Sequence, residues 1–202
     1  MKDFWEQRYS EKGWAYGTEP NQFLSTQAAR LKPGMQALVV GDGEGRNGVW
    51  LAQQGLDVLS VDYSEAGLRK ARELAIAKGT RVNTECVDLT HWRWPVAAFD
   101  VVVSVYLHFA PDVRTTMHRA MLQALKPGGV LILEAFNKNQ LQYKSGGPPV
   151  VAMLFSSDEL RADFSGAQID VLEEAVAELQ EGKYHVGPGA VIRLVLTRPG
   201  EI

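Results

Sequence analysis

The sequence predicts an α/β fold: a Rossmann-like, mostly parallel sheet with helices on both faces, closed by an antiparallel terminal hairpin. Three observations lead there. From Met35 onward, short β-branched runs alternate with amphipathic helical stretches. The turn after the first run is glycine-rich, GDGEGRNG (41–48). The last two runs follow one another with no helix between them. Alternation of strand and helix requires crossovers that lay helices over a parallel sheet, whereas a short strand-to-strand connection requires antiparallel pairing.

In chain order, MQALVV (35–40) reads as a buried first strand, and the helix after the glycine turn stops at Gly55, a residue suited to a left-handed helix end. LDVLSVD (56–62) is the second strand. Ser64 caps the next helix, whose Leu68, Ala71 and Ala75 share a face, with Gly79 just past its end. RVNTECVD (81–88) and FDVVVSVY (99–106) are the third and fourth strands. Pro111 opens a helix with Val113, Met117, Ala120, Met121 and Ala124 on its apolar face. KPGG (126–129) stops that helix, and VLILEAF (130–136) is an apolar fifth strand. Ser156 and Glu159 spell a capping box. IDVLEEAVAEL (169–179) and AVIRLVLT (190–197) are the final pair, joined by QEGKYHVGPG. The expectation is one domain over residues 1–202, with residues 1–34 forming an N-terminal helix or lid segment.

Composition narrows the function classes. The 202 residues are 46% apolar and 22% charged, ordinary for a domain that buries its own core. A formal net charge of −3 argues against a chain built to grip nucleic acid or an anionic membrane. The start, MKDFWEQRYSEKGW, lacks the apolar core of a signal peptide, and no apolar run approaches the ~18 residues of a membrane helix. Cys86 is the single cysteine, which suits a reducing, cytoplasmic setting. Four histidines and one cysteine show no zinc spacing, so no metal is expected.

The glycine turn allows two registers. Gly43, Gly45 and Gly48 match the dinucleotide pattern G-x-G-x-x-G, and Gly41, Gly43 and Gly45 match the G-x-G-x-G of S-adenosylmethionine (SAM) binding. Glycines at such a turn let backbone approach a ligand, and the helix start favours its negative charge. The β-branched pair Val39–Val40 ends at Gly41, where the SAM register needs the strand to end. Asp62, ending the second strand, suits ribose hydroxyls in either register. Asp88, ending the third, can accept a bond from an adenine amino group or cap the following turn. With the terminal hairpin, these features favour SAM.

On these residues the chain resembles class I SAM-dependent methyltransferases over nearly its whole length. VVGDGEGRN, VDYS, CVDL, FDVVVSVYLHF and LKPGGVLILEAF correspond in order to that family's motifs. FWEQRY…YGTEPNQFL and EGKYHVGPGAVIRLV resemble the small-molecule branch of tellurite-resistance and thiopurine methyltransferase-like proteins. The resemblance implies seven strands in the order 3-2-1-4-5-7-6 and SAM as cofactor. It assigns Gly41, Gly43 and Gly45 to the methionyl end, Asp62 to the ribose, and Asp88 with Leu89 to the adenine, with Asp42, Tyr63 and Ser104 as further cofactor-binding residues. Ser104 to Tyr106 become the floor beneath the sulfonium. Many relatives carry an acidic residue two positions before the first glycine, where Val39 stands here; Asp42 or Glu44 is the expected partial substitute.

Methyl transfer needs donor and acceptor aligned in a dry site, and a base only if the acceptor loses a proton. Tyr106 and His108, after the fourth strand, are the catalytic candidates. Glu134, in an apolar strand, calls for a buried partner, most simply a structural ion pair. Tyr143 and Tyr184–His185 are further loop candidates, and Trp5, Arg8, Tyr9 and Tyr16 suggest an N-terminal lid. The expected partner is a small-molecule acceptor. A nicotinamide-dependent oxidoreductase and a catalytically silent SAM-binding domain are the alternatives. Gly48, placed inside a helix by the SAM register, is expected to tolerate alanine.

Overall fold

The structure is a computed structural model that describes residues 2–200. Its centre is a seven-stranded sheet of order β3-β2-β1-β4-β5-β7-β6. Strands β1 (Gln36–Val40), β2 (Asp57–Asp62), β3 (Asn83–Cys86), β4 (Phe99–Val105) and β5 (Leu125–Phe136) run parallel. Strand β7 (His185–Thr197) runs antiparallel between β5 and β6 (Gln168–Glu181). This is the predicted order and the predicted closing hairpin.

The strands are apolar on both faces because helices cover both. Leu38, Val40, Val102, Leu131 and Leu133 pack on one side with Met117 and Met121 of α5 (Pro111–Ala124) and Leu160 of α6 (Ser157–Asp163). Ala37, Val39, Val58, Val101 and Val103 pack on the other side. Their partners are Phe23 and Leu24 of α2 (Gln22–Thr26), Val49 and Leu51 of α3 (Arg46–Gln53), and Leu74 of α4 (Glu65–Ala77). Each fully buried aliphatic chain of this kind contributes about 1.5–3 kcal/mol relative to exposure. Helix starts follow side-chain chemistry: Ser64 accepts from the Gly67 N–H, and Ser156 with Glu159 completes its capping box.

Two boundaries differ from the sequence reading. β5 begins at Leu125, directly after α5, where Leu125 pairs with Phe99; KPGG stops the helix and forms the register shift before Val130 pairs with Val101. The final hairpin is much tighter than its ten-residue connection suggested. Pairing runs to Glu181↔His185, leaving only Gly182, Lys183 and Tyr184 as the turn. Gly182 supplies the positive φ of 66° that the reversal needs. Helix α1 (Lys2–Ser10) returns over α4: Ser64 Oγ donates to Glu6 at 2.6 Å and the Ala66 N–H donates to the same carboxylate. All of this gathers the chain's polar residues at the carboxyl ends of β1, β2, β4 and β5.

Candidate active site

The glycine turn is built as a cradle. β1 ends at Val40, and Gly41, Gly43 and Gly45 all take positive φ, 64°, 56° and 85°, a conformation that side chains disfavour. Gly41 and Asp42 N–H groups both donate to the Val61 carbonyl, tying the turn to β2. A Cβ on Gly41 would lie 3.0 Å from the Leu107 side chain, and one on Gly43 would lie 2.5 Å from the Tyr9 hydroxyl. The space above the turn is thus reserved, and Tyr9 of α1 lies over it.

Asp62 closes the cradle from β2. Its carboxylate accepts from the Gly43 N–H at 2.8 Å and the Ser64 N–H at 2.9 Å. It is 7% exposed, and burial pushes its pKa up to about 6 against those two hydrogen bonds. A buried carboxylate short of cationic partners still has lone pairs to offer hydroxyl donors. That chemistry fits the ribose of SAM. Tyr63 follows it, and burial together with Asp88 raises its phenol pKa. Leu89 is buried beside them, and Ser104 is buried at the end of β4, paired with Val40.

Other expected donor contacts point elsewhere. The Asp42 carboxylate turns inward, accepting from Ser60 Oγ at 2.6 Å and from the Gly48 N–H at 3.2 Å. Burial lifts its pKa to about 7. Asp42 therefore braces α3 against β2 instead of facing a ligand. Glu44 accepts from the Ala15 N–H and from Lys70, both at 2.7 Å. Neither carboxylate stands free to replace the acid missing at Val39. Asp88 caps its own turn: it accepts from the Thr90 hydroxyl at 2.6 Å and backbone at 2.9 Å, with His91 at 3.0 Å. Led by the Thr90 hydroxyl, these bonds hold it well below the usual carboxylate range.

Gly48 also departs from expectation. It lies in α3, but a Cβ there would stand 2.3 Å from both Asp42 Oδ2 and Ser60 Oγ. It is the close helix–strand contact that the dinucleotide fingerprint assigns to its third glycine. Both registers therefore need this glycine, and substituting it cannot separate them.

Beyond the turn, a second network is assembled from distant segments. Glu134, 2% exposed, accepts at Oε1 from the Asn21 amide at 2.7 Å and Tyr106 Oη at 2.8 Å, and at Oε2 from Arg193 at 2.6 Å. The expected structural ion pair is there, with Arg193 as the cation. Arg46, first residue of α3, meets Glu181 at 3.1 Å, and Glu181 also meets His185 Nδ1 at 3.3 Å. Tyr106, held at φ 51°, packs 4.6 Å from the rings of both Phe136 and His185, and Tyr16 covers His185 at 4.6 Å. Beside it opens a groove of about 480 Å³ lined by residues including Pro20, Gln22, Leu179 and Arg193. Arg46, Glu181 and Arg193 were not singled out in the sequence. The one available signal was charge placed within otherwise apolar or glycine-flanked runs.

His108 needs a correction as a candidate base. Its Nδ1 bonds the Met153 carbonyl at 2.8 Å, and its Nε2 accepts from the Phe136 N–H at 3.2 Å. That fixes one neutral tautomer with no free lone pair, and burial pushes its pKa down to about 4. Tyr106 is equally committed: it donates to Glu134, and burial drives its phenol pKa far upward. Neither is poised to remove a proton. Of the lid residues, Trp5 stacks on Tyr9 at 5.5 Å, and Arg8 bonds Tyr16 Oη and lies over Tyr184. Tyr143, by contrast, lies beside a shallow groove near Asn139 and Val176.

A methyltransferase-domain family matches residues 37–129. The ubiquinone biosynthesis O-methyltransferase of Idiomarina loihiensis is 33% identical over 108 residues, covering 52% of this chain and 44% of the relative. The chain spans less than half the length of the first curated relatives it matches. Among solved structures, a SAM-dependent methyltransferase of Methanosarcina mazei superposes with a TM-score of 0.72 at 17% identity, covering 91% of this chain and 100% of that one. TehB of Haemophilus influenzae superposes with a TM-score of 0.70 at 17% identity, over 98% of this chain and 66% of its own. Residues 37–129 are thus similar to a methyltransferase domain, and the whole sheet has the fold of solved SAM-dependent methyltransferases.

Proposed function

We propose that this protein transfers a methyl group from SAM to a small-molecule acceptor. The observation that carries the reading is the pairing of Asp62, buried and without a cationic partner among the described residues, with the positive-φ turn at Gly41, Gly43 and Gly45. SAM supplies a methyl group on a good leaving group. The chain's own residues bind, orient and exclude water. The glycine turn lays its backbone along the methionyl end, with Gly45 packed closely on Ala71 of α4; Asp62 takes the ribose hydroxyls, and Asp88 with Leu89 meets the adenine. Tyr9 and Trp5 supply aromatic surface of the kind that attracts a sulfonium cation.

The acceptor enters over Tyr106, Phe136 and His185, where β4 and β5 end. Positioning alone can supply several kcal/mol of barrier reduction. Because His108 and Tyr106 are committed to other partners, the reading favours an acceptor that is nucleophilic without deprotonation, such as a soft chalcogen or arsenic species. Exposed Cys86 suits a reducing, cytoplasmic setting. A catalytically silent SAM-binding domain remains the second reading, favoured by those same committed side chains. Incubation with SAM and a panel of thiol, arsenic, selenium and tellurium acceptors, reading S-adenosylhomocysteine release, separates them. Turnover with one class supports transfer; SAM binding without turnover on any acceptor supports the silent domain.

A further inference from the structure

We propose that Lys70 is a positioning residue for donor retention, acting through Glu44 to hold the N-terminal segment closed over the glycine turn. The inference rests on the cofactor reading above and adds the residues that keep the cofactor's cover in place. Lys70 stands on α4, away from the turn's concave side. Its ammonium donates to the carbonyls of Glu11 at 2.7 Å and Gly13 at 2.6 Å and to Glu44 Oε1 at 2.7 Å. Those three partners use all three of its N–H bonds.

Both oxygens of Glu44 are engaged as well. Its second oxygen takes the Ala15 N–H at 2.7 Å, and the two side chains are only 11% and 3% exposed. One ion pair therefore joins three segments: the 11–15 loop, the glycine turn and α4. The terminal hairpin also holds this loop, through exposed contacts from Lys183 and Tyr184 to Glu11 and through the Lys183 N–H, which donates to the Ala15 carbonyl at 2.9 Å. Among the described residues, the Lys70–Glu44 pair is the ion pair that leads directly from the loop to the turn.

What the pair restrains is the helix before it. Glu6 of α1 sits on Ser64 and Ala66, and Tyr9 lies against both Gly43 and Gly67. Freeing residues 11–15 lets α1 swing and takes Tyr9 off Gly43. A donor beneath that cover leaves only after the segment opens, so its escape rate follows the strength of the clasp. Lys70 touches no part of the proposed donor site; its effect passes through Glu44 and the loop.

The test uses the full chain with Lys70→Met combined with Glu44→Gln, since removing one partner alone would bury an unpaired charge. Three quantities are read: the SAM dissociation rate by stopped-flow tryptophan fluorescence, hydrogen exchange of residues 2–17 without ligand, and melting temperature. The double variant is expected to lose SAM about tenfold faster and to exchange α1 amides about tenfold faster, with sheet amides unchanged. A lower melting temperature with unchanged dissociation and unchanged α1 exchange overturns the proposal, because that is the mark of a merely structural pair. If the double variant does not fold, Glu44→Gln alone is measured in the same way, with a smaller acceleration expected and no acceleration overturning the proposal. If the wild type fails to bind SAM, the cofactor reading falls, and with it the retention role. Accelerated α1 exchange would then show only a clasp that holds the segment.

Discussion

The proposed donor and acceptor sides of this site are built in opposite ways. At the donor side, the turn after β1 and the acid ending β2 lie within about twenty residues of each other, and backbone does most of the shaping. At the acceptor side, Asn21 reaches Glu134 across 113 residues and Glu181 across 160. There, side chains do the shaping. A backbone cradle demands particular residue types at fixed spacing, whereas a side-chain network needs only compatible partners wherever the fold brings them. The first is written as a motif; the second exists only in three dimensions.

Substitutions can break the donor half of that contrast. Gly43→Val has the largest expected effect, because its side chain meets the Tyr9 ring and its backbone holds φ 56°. Strain of about 1–3 kcal/mol adds to the lost space, and calorimetry should detect no SAM binding by a protein whose circular dichroism is still native. Wild-type affinity in this variant would remove the cradle from the account.

Asp62→Ala comes next. It should weaken SAM by about 1.5–3 kcal/mol, the scale of hydrogen bonds to a charged acceptor. The Gly43 and Ser64 N–H groups lose their partner too, so the melting temperature should fall by several degrees. A change in stability with no change in affinity would confine Asp62 to the fold.

Gly48→Ala sharpens the contrast, because local propensity and tertiary packing disagree there. Propensity favours alanine in a helix by about 1 kcal/mol, yet its Cβ would press on Asp42 and Ser60. Overpacking of this kind costs about 1–3 kcal/mol, so thermal melts should show net destabilisation. A higher melting temperature would mean that α3 shifts away freely.

The smallest effect concerns Asp42 and pH. Its folded pKa near 7 lies above its unfolded value of 3.8, so the folded state holds the proton more tightly. That contribution is complete below about pH 4 and is lost as pH rises through 7, at no more than about 1.4 kcal/mol per unit. Asp42→Asn does not titrate, and other groups cancel in the difference. The variant's melting temperature relative to wild type should therefore be higher at pH 8 than at pH 5. A constant difference would place the carboxylate in a more polar setting than its bonds to Ser60 and Gly48 describe.

The same contrast explains how much the sequence disclosed. The strand–helix alternation, the hairpin, the capping box at Ser156 and the glycine turn were legible because each depends on period or local chemistry, whereas the strand order followed from the family resemblance. The direction of Asp42 was not, since the carboxylate could face a ligand or the Ser60 hydroxyl with the same spacing. His108 looked like a base from its position after β4. Its two ring nitrogens are claimed by Met153 and Phe136, residues 45 and 28 positions away. Arg46 and Glu181 stayed hidden because neither carries a local pattern, and only the closed sheet brings them within 3.1 Å.

The central claim is that the turn at Gly41–Gly45 with Asp62 holds SAM. Calorimetry of the wild-type protein with SAM, S-adenosylhomocysteine and NADH tests it most directly. The account predicts saturable binding of SAM and S-adenosylhomocysteine and no heat from NADH. Micromolar binding of NADH with none of SAM would contradict it.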